Sequence, residues 1–262
     1  VYNGTAANQS APTDDPGWDA VGRIFIGTPD SGAATAIFLG NVGGYGWFLT
    51  ANHVNLTGAT VNMGGGNYTS FDDIAPISGA DLKVFRTNTT VSGVSPVVLA
   101  SGTPAVGSNV TMIGNGRTGA QTTWDIPGNG TWTSPGTDAD GYTWATPNVK
   151  QWGSNKVLQI NHSLGASGMC LATAFDDTDG VGQGSLGDSG GGIFYKNGGD
   201  WELAGVMVSV GRVQDGTLYG SDFAGQPGST SVASITGQPD NKSTTFSVQI
   251  ANYRPEILAA IP

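Results

Sequence analysis

The sequence predicts an all-β fold of the sandwich or barrel type, ending in one short helix. Apolar runs of strand length recur along the chain, and Gly, Pro, Asn or Asp bounds nearly all of them, as is typical of short strands joined by turns. Charged residues make up only 11% of the 262 residues, which disfavours long helices held by ion pairs. Helix signals are confined to the C-terminus.

The sequence predicts ten strands and one C-terminal helix. The helix lies at 252–261, where Asn252 can begin it, Pro255 falls near the first turn, and Ile257, Leu258 and Ile261 form an apolar face. The predicted strands are 23–27, 35–39, 46–50, 82–86, 96–100, 110–114, 156–160, 192–195, 203–210 and 245–250.

A connector of small residues at 101–108 predicts a boundary between two strand-rich halves, 1–100 and 101–262. Segment 117–155 is an insertion in which four tryptophans stand among Gly, Pro, Asp and Thr. Such aromatics form either a sugar-binding surface or small clusters that hold down a long loop, and we favour the clusters. They are Trp124, Trp132, Trp144 and Trp152.

Composition restricts the partners of the chain. A formal net charge of −10 disfavours nucleic acid and anionic membranes. No apolar run reaches the roughly 18 residues of a membrane helix, and the N-terminus lacks a signal-peptide pattern. We therefore expect a soluble, already processed chain that is secreted.

Metal and disulfide sites are not expected. Cys170 is the single cysteine, so no internal disulfide and no cysteine-built zinc site can form. The acidic turns 138–141 and 176–180 could offer oxygen ligands to Ca²⁺, but neither has the spacing of an EF-hand loop. We expect no cofactor, with structural Ca²⁺ as the minor alternative.

A glycine-rich segment, SLGDSGGGIF at 185–194, surrounds Ser189. A hydroxyl becomes a useful nucleophile when a base takes its proton and donors receive the developing oxyanion. Glycines let backbone N–H groups turn inward, so we assign Ser189 as nucleophile and the N–H groups of Gly187 and Ser189 as the oxyanion hole. The same letters match the G-x-S-x-G motif of α/β-hydrolases, but that fold requires a histidine after the serine. Both histidines of this chain precede it.

The general base is expected to be His53, which follows an apolar strand and small polar residues, rather than His162. A carboxylate must orient the imidazole and stabilise its protonated form. Asp81, at the start of the DLKVFR strand at 81–86, is our candidate. Asp72 and Asp73 are its rivals, and we keep Asp73 as the reserve.

The order His53, Asp81, Ser189, with GDSGG around the serine, resembles the chymotrypsin-like (trypsin-fold) serine peptidases, and compact secreted bacterial members in particular. The resemblance extends to 48–54, 113–118, 205–211 and 246–257, and has no clear counterpart for 117–155. It implies two six-stranded antiparallel β-barrels with a short C-terminal helix, and an active site in the cleft between the barrels.

The resemblance also implies further site residues. VYNG at 1–4 is similar to the mature N-terminus of activated zymogens, whose free amino group pairs with the aspartate before the serine, here Asp188. Gln183 stands at the base of the primary pocket, where an acidic residue would favour Lys or Arg, so a neutral or apolar P1 residue is expected. The substrate-binding strand is Ser209, Val210 and Gly211.

The function expected from the sequence is that of a monomeric, secreted serine endopeptidase acting on polypeptides through an acyl-enzyme. Three alternatives remain open at this point: a catalytically silent peptidase-like module, a carbohydrate-binding β-domain that uses the tryptophans, and an esterase on the same scaffold.

Overall fold

The fold is described from a computed structural model of the chain. The residues that the structure describes are 1, 7–28, 32–69, 72–125, 135–137, 139–175, 181–214, 217–219, 234–235 and 241–262.

Strands dominate these residues, and one α-helix closes the chain. Three short 3-10 helices lie at Ala7–Gln9, Trp18–Ala20 and Gly165–Ser167. The strands and the helix are β1 Val21–Ile26, β2 Gly32–Val42, β3 Tyr45–Thr50, β4 Ala59–Met63, β5 Gly66–Tyr68, β6 Asp72–Pro76, β7 Lys83–Arg86, β8 Asn109–Gly114, β9 Arg117–Trp124, β10 Ala139–Asn148, β11 Gln151–Ser163, β12 Met169–Ala174, β13 Gly192–Asn197, β14 Asp200–Gln214, β15 Thr217–Tyr219, β16 Ser234–Ile235, β17 Asn241–Gln249 and α1 Ile250–Ala259.

The N-terminal sheet, β1 to β7, has the order β5-β4-β1-β2-β3-β7-β6, and its described pairings are antiparallel. Three aromatic rings form its centre. Phe48 lies 5.4 Å from Phe38 and 5.3 Å from Phe85, measured between ring centroids. This buried stack fixes β3 beside β7, so the end of β3 lies next to the start of β7. His53 follows the first of these strands and Asp81 precedes the second.

The C-terminal barrel is formed by β8, β11, β12, β13, β14 and β17. The order β13-β8-β11-β12-β17-β14 closes on itself because β13 also pairs with β14. Apolar side chains from alternate strand positions fill its interior. They include Val110, Met112, Leu171, Ile193 and Met207.

The predicted all-β class is confirmed, with one closed six-stranded antiparallel barrel, a second large sheet and a C-terminal helix. The expected six strands of the N-terminal half are instead seven. Within the described residues, no pairing joins the outer strands β5 and β6 to each other. Both are short, with three and five residues, which is why the sequence pattern did not indicate them.

The strand predicted at 96–100 does not form. Its backbone is divided between the two sheets: Val97 N–H donates to Phe38 O, whereas Ala100 N–H donates to Leu203 O. Only Leu99 forms an isolated bridge, with Leu203. A segment that alternates between two partners cannot build a continuous ladder.

The division near residue 100 separates the two sheets, but the first residues of the chain pack on the C-terminal barrel. The Val1 side chain is fully buried in the core of that barrel. Asn8 donates to the carbonyl oxygen of Trp152 at 2.7 Å. The N-terminus is thereby brought close to the loop that carries Ser189.

The insertion at 117–155 contains a β-hairpin, in which β9 and β10 pair and β16 adds a third strand. Of its four tryptophans, only the Trp152 side chain is among the described ones. That indole donates to Ser10 O at 2.9 Å and packs against the core, as expected of a residue that holds a loop down.

Helix α1 begins two residues before its predicted start, and it buries Ile257 while leaving Leu258 44% exposed. Nowhere in the described ranges does a helix combine the length and the hydropathy that crossing a bilayer requires.

Candidate active site

The structure brings His53, Asp81 and Ser189 together between the N-terminal sheet and the C-terminal barrel. His53 Nε2 lies 2.9 Å from Ser189 Oγ, and His53 Nδ1 lies 2.6 Å from Asp81 Oδ2. A carboxylate can only accept, so Nδ1 carries the hydrogen of this bond. In the neutral ring Nε2 is then left as an acceptor for the hydroxyl proton of Ser189.

Asp81 also holds the backbone of the histidine. Its Oδ1 accepts from the His53 N–H at 2.9 Å, and its own carbonyl accepts from Asn52 N–H at 3.1 Å. Burial opposes ionisation of the carboxyl, but the hydrogen bonds and charge of His53 outweigh it, so the pKa of Asp81 lies below its usual value. The carboxylate therefore stays charged behind the ring.

Residues 185–191 around Ser189 form the serine loop. Glycine is required at two of its positions. Gly190 has φ +87°, and a Cβ there would lie 2.1 Å from Thr35 O. Gly187 has φ +95°, and its Cβ would lie 2.3 Å from Asn148 Nδ2. Both positions favour glycine through conformation and through lack of space, which accounts for two glycines of the GDSGG motif.

The two N–H groups predicted to form the oxyanion hole are oriented by the neighbouring backbone. The Leu186 carbonyl accepts from Arg117 N–H at 2.8 Å. Because a trans peptide directs its C=O and N–H to opposite sides, the N–H of Gly187 points away from Arg117. Among the described residues, neither this N–H nor that of Ser189 donates to a protein acceptor. Both are available to a developing oxyanion.

A buried ion pair supports the loop from behind. The α-amino group of Val1 lies 2.6 Å from both carboxylate oxygens of Asp188. The side chains of Val1 and Asp188 are 0% and 2% exposed. Burial lowers the pKa of the Val1 amino group, and the Asp188 charge and hydrogen bond offset part of that effect.

Three further donors complete the coordination of Asp188. Gly116 N–H donates to Oδ1 at 2.8 Å, while Ser185 N–H and Ser185 Oγ donate to Oδ2 at 2.8 and 2.9 Å. A Cβ at Gly114 or at Gly116 would lie within 2.6 Å of Asp188 side-chain oxygens. The glycines of the IGNGRT segment thus leave space for this carboxylate.

Two solved structures align with this chain. Neuropsin, a serine protease expressed in the limbic system of mouse brain, aligns over 100% of both chains with a TM-score of 0.60 and 16% identity. An inactive serine-to-alanine mutant of Rv3671c from M. tuberculosis H37Rv aligns over 98% of this chain and 93% of its own, with a TM-score of 0.48 and 15% identity. No protein-family model and no curated protein sequence matches the chain.

The chain has the fold of a chymotrypsin-like serine protease. At 16% identity, the likeness to neuropsin extends to the fold alone.

A cavity of about 350 Å³ opens beside the serine. His53, Ser189 and the backbone of the serine loop form one wall, and β14 forms the other. Its lining residues are His53, Gly184, Ser185, Leu186, Asp188, Ser189, Met207, Val208, Ser209, Val210 and Thr245. Next to the triad, the pocket is therefore largely apolar on the β14 side.

The predicted pocket residues are only partly in this lining. Ser209 and Val210 line the cavity, whereas Gln183 and Gly211 are not among the described residues that do so. Gln183 is 4% exposed, and within the described part of the chain neither polar atom of its amide has a hydrogen-bond partner. Thr245 and Val210 fill the space beside Gly184, within 3.5 Å of where a Cβ would stand.

Sequence reasoning did not find Met207, Val208 and Thr245 in the pocket. The signal for Thr245 is its register, because β17 pairs it with Val210 of β14. A pattern of apolar residues along one strand does not specify which residue of another strand lies opposite.

The remaining candidates lie elsewhere. His162 is on β11, and its ring stacks on Phe246 at 5.3 Å. Cys170 is buried and free, and burial together with nearby Asp81 raises the pKa of its thiol to about 12. The side chains of Asp72 and Asp73 lie outside the described part of the structure.

The described residues contain no group of three or more His, Cys, Asp or Glu side chains that could hold a metal ion. Turn 176–180 and residue 138 are outside the described ranges, as are the side chains of 139–141. The possibility of calcium at these turns therefore stays a prediction.

Proposed function

We propose that this protein is a serine endopeptidase that hydrolyses peptide bonds through an acyl-enzyme on Ser189. The observation that carries the proposal is the continuous hydrogen-bonded series Asp81–His53–Ser189 beside the N–H groups of Gly187 and Ser189, which donate to none of the described residues. Nucleophile, base, orienting carboxylate and oxyanion donors are then all within reach of one carbonyl group.

The roles follow from the donor and acceptor capacity of each group. His53 Nε2 takes the Ser189 proton as Oγ attacks the substrate carbonyl carbon, and the Gly187 and Ser189 N–H groups stabilise the oxyanion. His53 then donates that proton to the leaving amine, which departs as the acyl-enzyme forms. Water, deprotonated by the same nitrogen, hydrolyses the ester and restores Ser189. Asp81 stabilises the imidazolium in both steps.

A stretch of β14 that no described strand pairs with on one side supports a polypeptide substrate. On one side of β14, β13 pairs as far as Val206 and β15 begins to pair at Arg212. Between them, no described strand pairs with Val208–Gly211 on that side, and this stretch runs past Ser189. An extended peptide could add there as a short strand, with its scissile bond over the serine.

The cavity favours a neutral or apolar P1 side chain. Met207, Val208 and Val210 contribute apolar surface to it. The one acidic residue among its described lining residues is Asp188, whose side chain is 2% exposed and already pairs with Val1. A buried Lys or Arg side chain of a substrate would find no free anionic partner among these lining residues, at a large desolvation cost.

We further propose that a free amino group at Val1 is needed for the active conformation, as in an enzyme released from a zymogen. Asp188 precedes Ser189 directly, so its ion pair with Val1 holds the peptide units that form the oxyanion hole. We also propose that the protein is a secreted monomer that acts on polypeptides. Its net charge of −10 disfavours nucleic acid and anionic membranes as partners.

A fluorophosphonate probe tests the proposal directly. It should label wild-type protein at Ser189, identified by peptide mass spectrometry, and should label neither Ser189→Ala nor His53→Ala. His162→Ala is the matched control and should react like wild type, because its ring stacks on Phe246 away from the site. Labelling that persists in His53→Ala would refute the assigned base. Hydrolysis of matched ester but not amide substrates would replace the peptidase with an esterase, and absence of both would indicate a silent module.

A further inference from the structure

Lys83 is a buried lysine immediately behind the triad, and the mechanism above assigns it no role. It is the first residue of β7, only 7% exposed, and two residues after Asp81. The strand register places it opposite Thr50, the last residue of β3. From this position the side chain extends towards the turn that follows β3 and carries His53.

The ammonium group is bonded to the backbone on both sides of the catalytic histidine. Lys83 Nζ donates to the carbonyl oxygen of Asn52 at 3.0 Å, and it also donates to the carbonyl oxygen of Val54. The His53 N–H between these two carbonyls donates to Asp81. One lysine and one aspartate thus hold three consecutive residues of the turn.

These hydrogen bonds restrict the backbone that carries His53, whose ring the proposed reaction needs in a fixed position. His53 must keep Nδ1 on Asp81 and Nε2 on Ser189 at the same time, although its side chain is 47% exposed. Packing alone holds such a ring weakly, so the backbone of the turn has to restrict it. Hydrogen bonds from a charged donor are among the stronger means of doing so.

We propose that Lys83 is a positioning residue: its ammonium group fixes the turn around His53, and its charge opposes protonation of the imidazole. This inference rests on the proposed peptidase function. The residue acts through His53 and Asp81 and does not contact the substrate cavity.

The charges around this lysine are few. Burial lowers the pKa of Lys83, and the negative charge of Asp81 partly restores it. Among the described residues, the ionisable groups that act on this cluster are Asp81, His53 and Cys170. Cys170 contributes no charge at neutral pH, because the pKa of its thiol is raised to about 12. The ammonium group is therefore the nearby positive charge that an imidazolium at His53 would meet.

Three substitutions separate the effect of the Lys83 charge from that of the clamp, by which we mean its hydrogen bonds to the carbonyl groups of Asn52 and Val54. Lys83→Met keeps the apolar stem and removes both the donors and the charge. Lys83→Gln keeps amide donors without the charge, and Lys83→Arg keeps both. Lys156→Met is the control, since Lys156 is an exposed lysine on β11 outside the site. Each variant is tested with one peptide substrate across a range of pH.

Lys83→Met should lower kcat by roughly 10- to 100-fold with little change in KM, because a small displacement of His53 affects the chemical step more than binding. The acidic limb of its kcat profile should move to higher pH by roughly half a unit, since a nearby positive charge no longer opposes the imidazolium. Lys83→Gln should recover part of kcat but keep the shifted limb, and Lys83→Arg should restore both. Lys156→Met should match wild type in both measurements.

A folded Lys83→Met variant with wild-type kcat and an unshifted acidic limb would overturn the proposal. A second readout does not depend on turnover: the low-field proton resonance of His53 Nδ1–H, assigned by its loss in His53→Ala, should titrate at higher pH in Lys83→Met. A wild-type protein that neither cleaves peptides nor reacts with the fluorophosphonate would refute the peptidase function. This resonance would still test the effect of Lys83.

Folding of the variants is checked by circular dichroism, and one measurement needs no charge-removing variant. In the wild-type protein, the ammonium hydrogens of Lys83, assigned through Lys83→Arg, should exchange with water more slowly than those of Lys156. Equal exchange at the two lysines would overturn the clamp, whatever the variants show.

Discussion

Two carboxylates of this protein accept a hydrogen bond of the same length from a nitrogen, in two very different surroundings. Asp81 Oδ2 lies 2.6 Å from His53 Nδ1 at the end of the N-terminal sheet, and Asp188 lies 2.6 Å from the Val1 amino group inside the C-terminal barrel. The His53 and Asp81 side chains are 47% and 15% exposed, whereas those of Val1 and Asp188 are 0% and 2% exposed.

The difference shows that burial, rather than bond length, separates a pair suited to proton transfer from a pair that supports structure. The His53 ring is open to the cavity and bonded to Ser189, so it can take up and release a proton. The Val1–Asp188 pair has no access to solvent, and three further donors fill the coordination of its carboxylate. Removing one charge there leaves the other without compensation.

The same Asp→Asn substitution should therefore affect activity and stability in different proportions in the two pairs, and the largest effect on activity is expected at the open pair. Asp81→Asn should lower kcat by about 10⁴-fold, because an amide favours the wrong imidazole tautomer. The free energy of unfolding should change by only about 1 kcal/mol, since the Asn oxygen can still accept from the His53 N–H. Steady-state kinetics and urea unfolding on one preparation test this. Loss of folding with activity retained in the surviving fraction would contradict it.

Asp188→Asn should instead destabilise the protein by about 3–5 kcal/mol, because the Val1 ammonium group would stay buried without a countercharge. Activity should fall as well, since the peptide units of the oxyanion hole lose their support. Urea unfolding monitored by tryptophan fluorescence measures the first effect. Asp200→Asn, on the exposed end of β14, is the control and should unfold like wild type. A stability loss no larger than that of Asp81→Asn would remove the proposed distinction.

The pH dependence should separate activity from stability at the buried pair. Burial lowers the pKa of the Val1 amino group below its ordinary value of 8.0, so the folded protein releases this proton at lower pH than the unfolded chain. Between those two values the unfolded chain binds more protons, and this group makes the free energy of unfolding rise with pH. Activity should fall over the same interval, because an uncharged amine no longer pairs with Asp188. Parallel kcat/KM and urea measurements test this, and a joint decline would contradict it.

The contrast also explains how much of the site could be predicted from the sequence. GDSGG and the two available histidines restrict the chemistry because a nucleophilic serine needs a base and glycine-rich backbone around it. The residue types and their order are therefore readable. Strand ends could be recognised wherever Gly or Asn followed an apolar run, as Asn52 does just before His53.

Other features depend on which residues meet across the fold. Thr245 reaches the pocket through the register of β17 with β14. Lys83 occupies a strand position that alternation with Leu82 and Val84 would assign to the opposite face, and the turn at 52–54 buries it there. β5 and β6 are short, so only their pairing with neighbouring strands reveals them. These contacts are set by tertiary packing, which local pattern does not encode.

The smallest expected effect on activity is at Thr35, where the N-terminal sheet contacts the serine loop. Its hydroxyl donates to Gly187 O and accepts from Asn115 N–H, both at 3.0 Å, and the side chain is fully buried. Thr35→Val would leave both backbone groups unpaired and should destabilise the protein by about 1–3 kcal/mol. It should also lower kcat, but only modestly. The Gly187 carbonyl loses its hydrogen-bond donor, whereas Gly187 keeps its own backbone conformation. Thr173→Val is the matched control: that threonine is equally buried, but the one hydrogen bond of its hydroxyl to a described residue is the weak one to Met112 Sδ, at 3.9 Å. Equal unfolding free energies for the two variants would mean that contact between the sheets does not hold the serine loop in place.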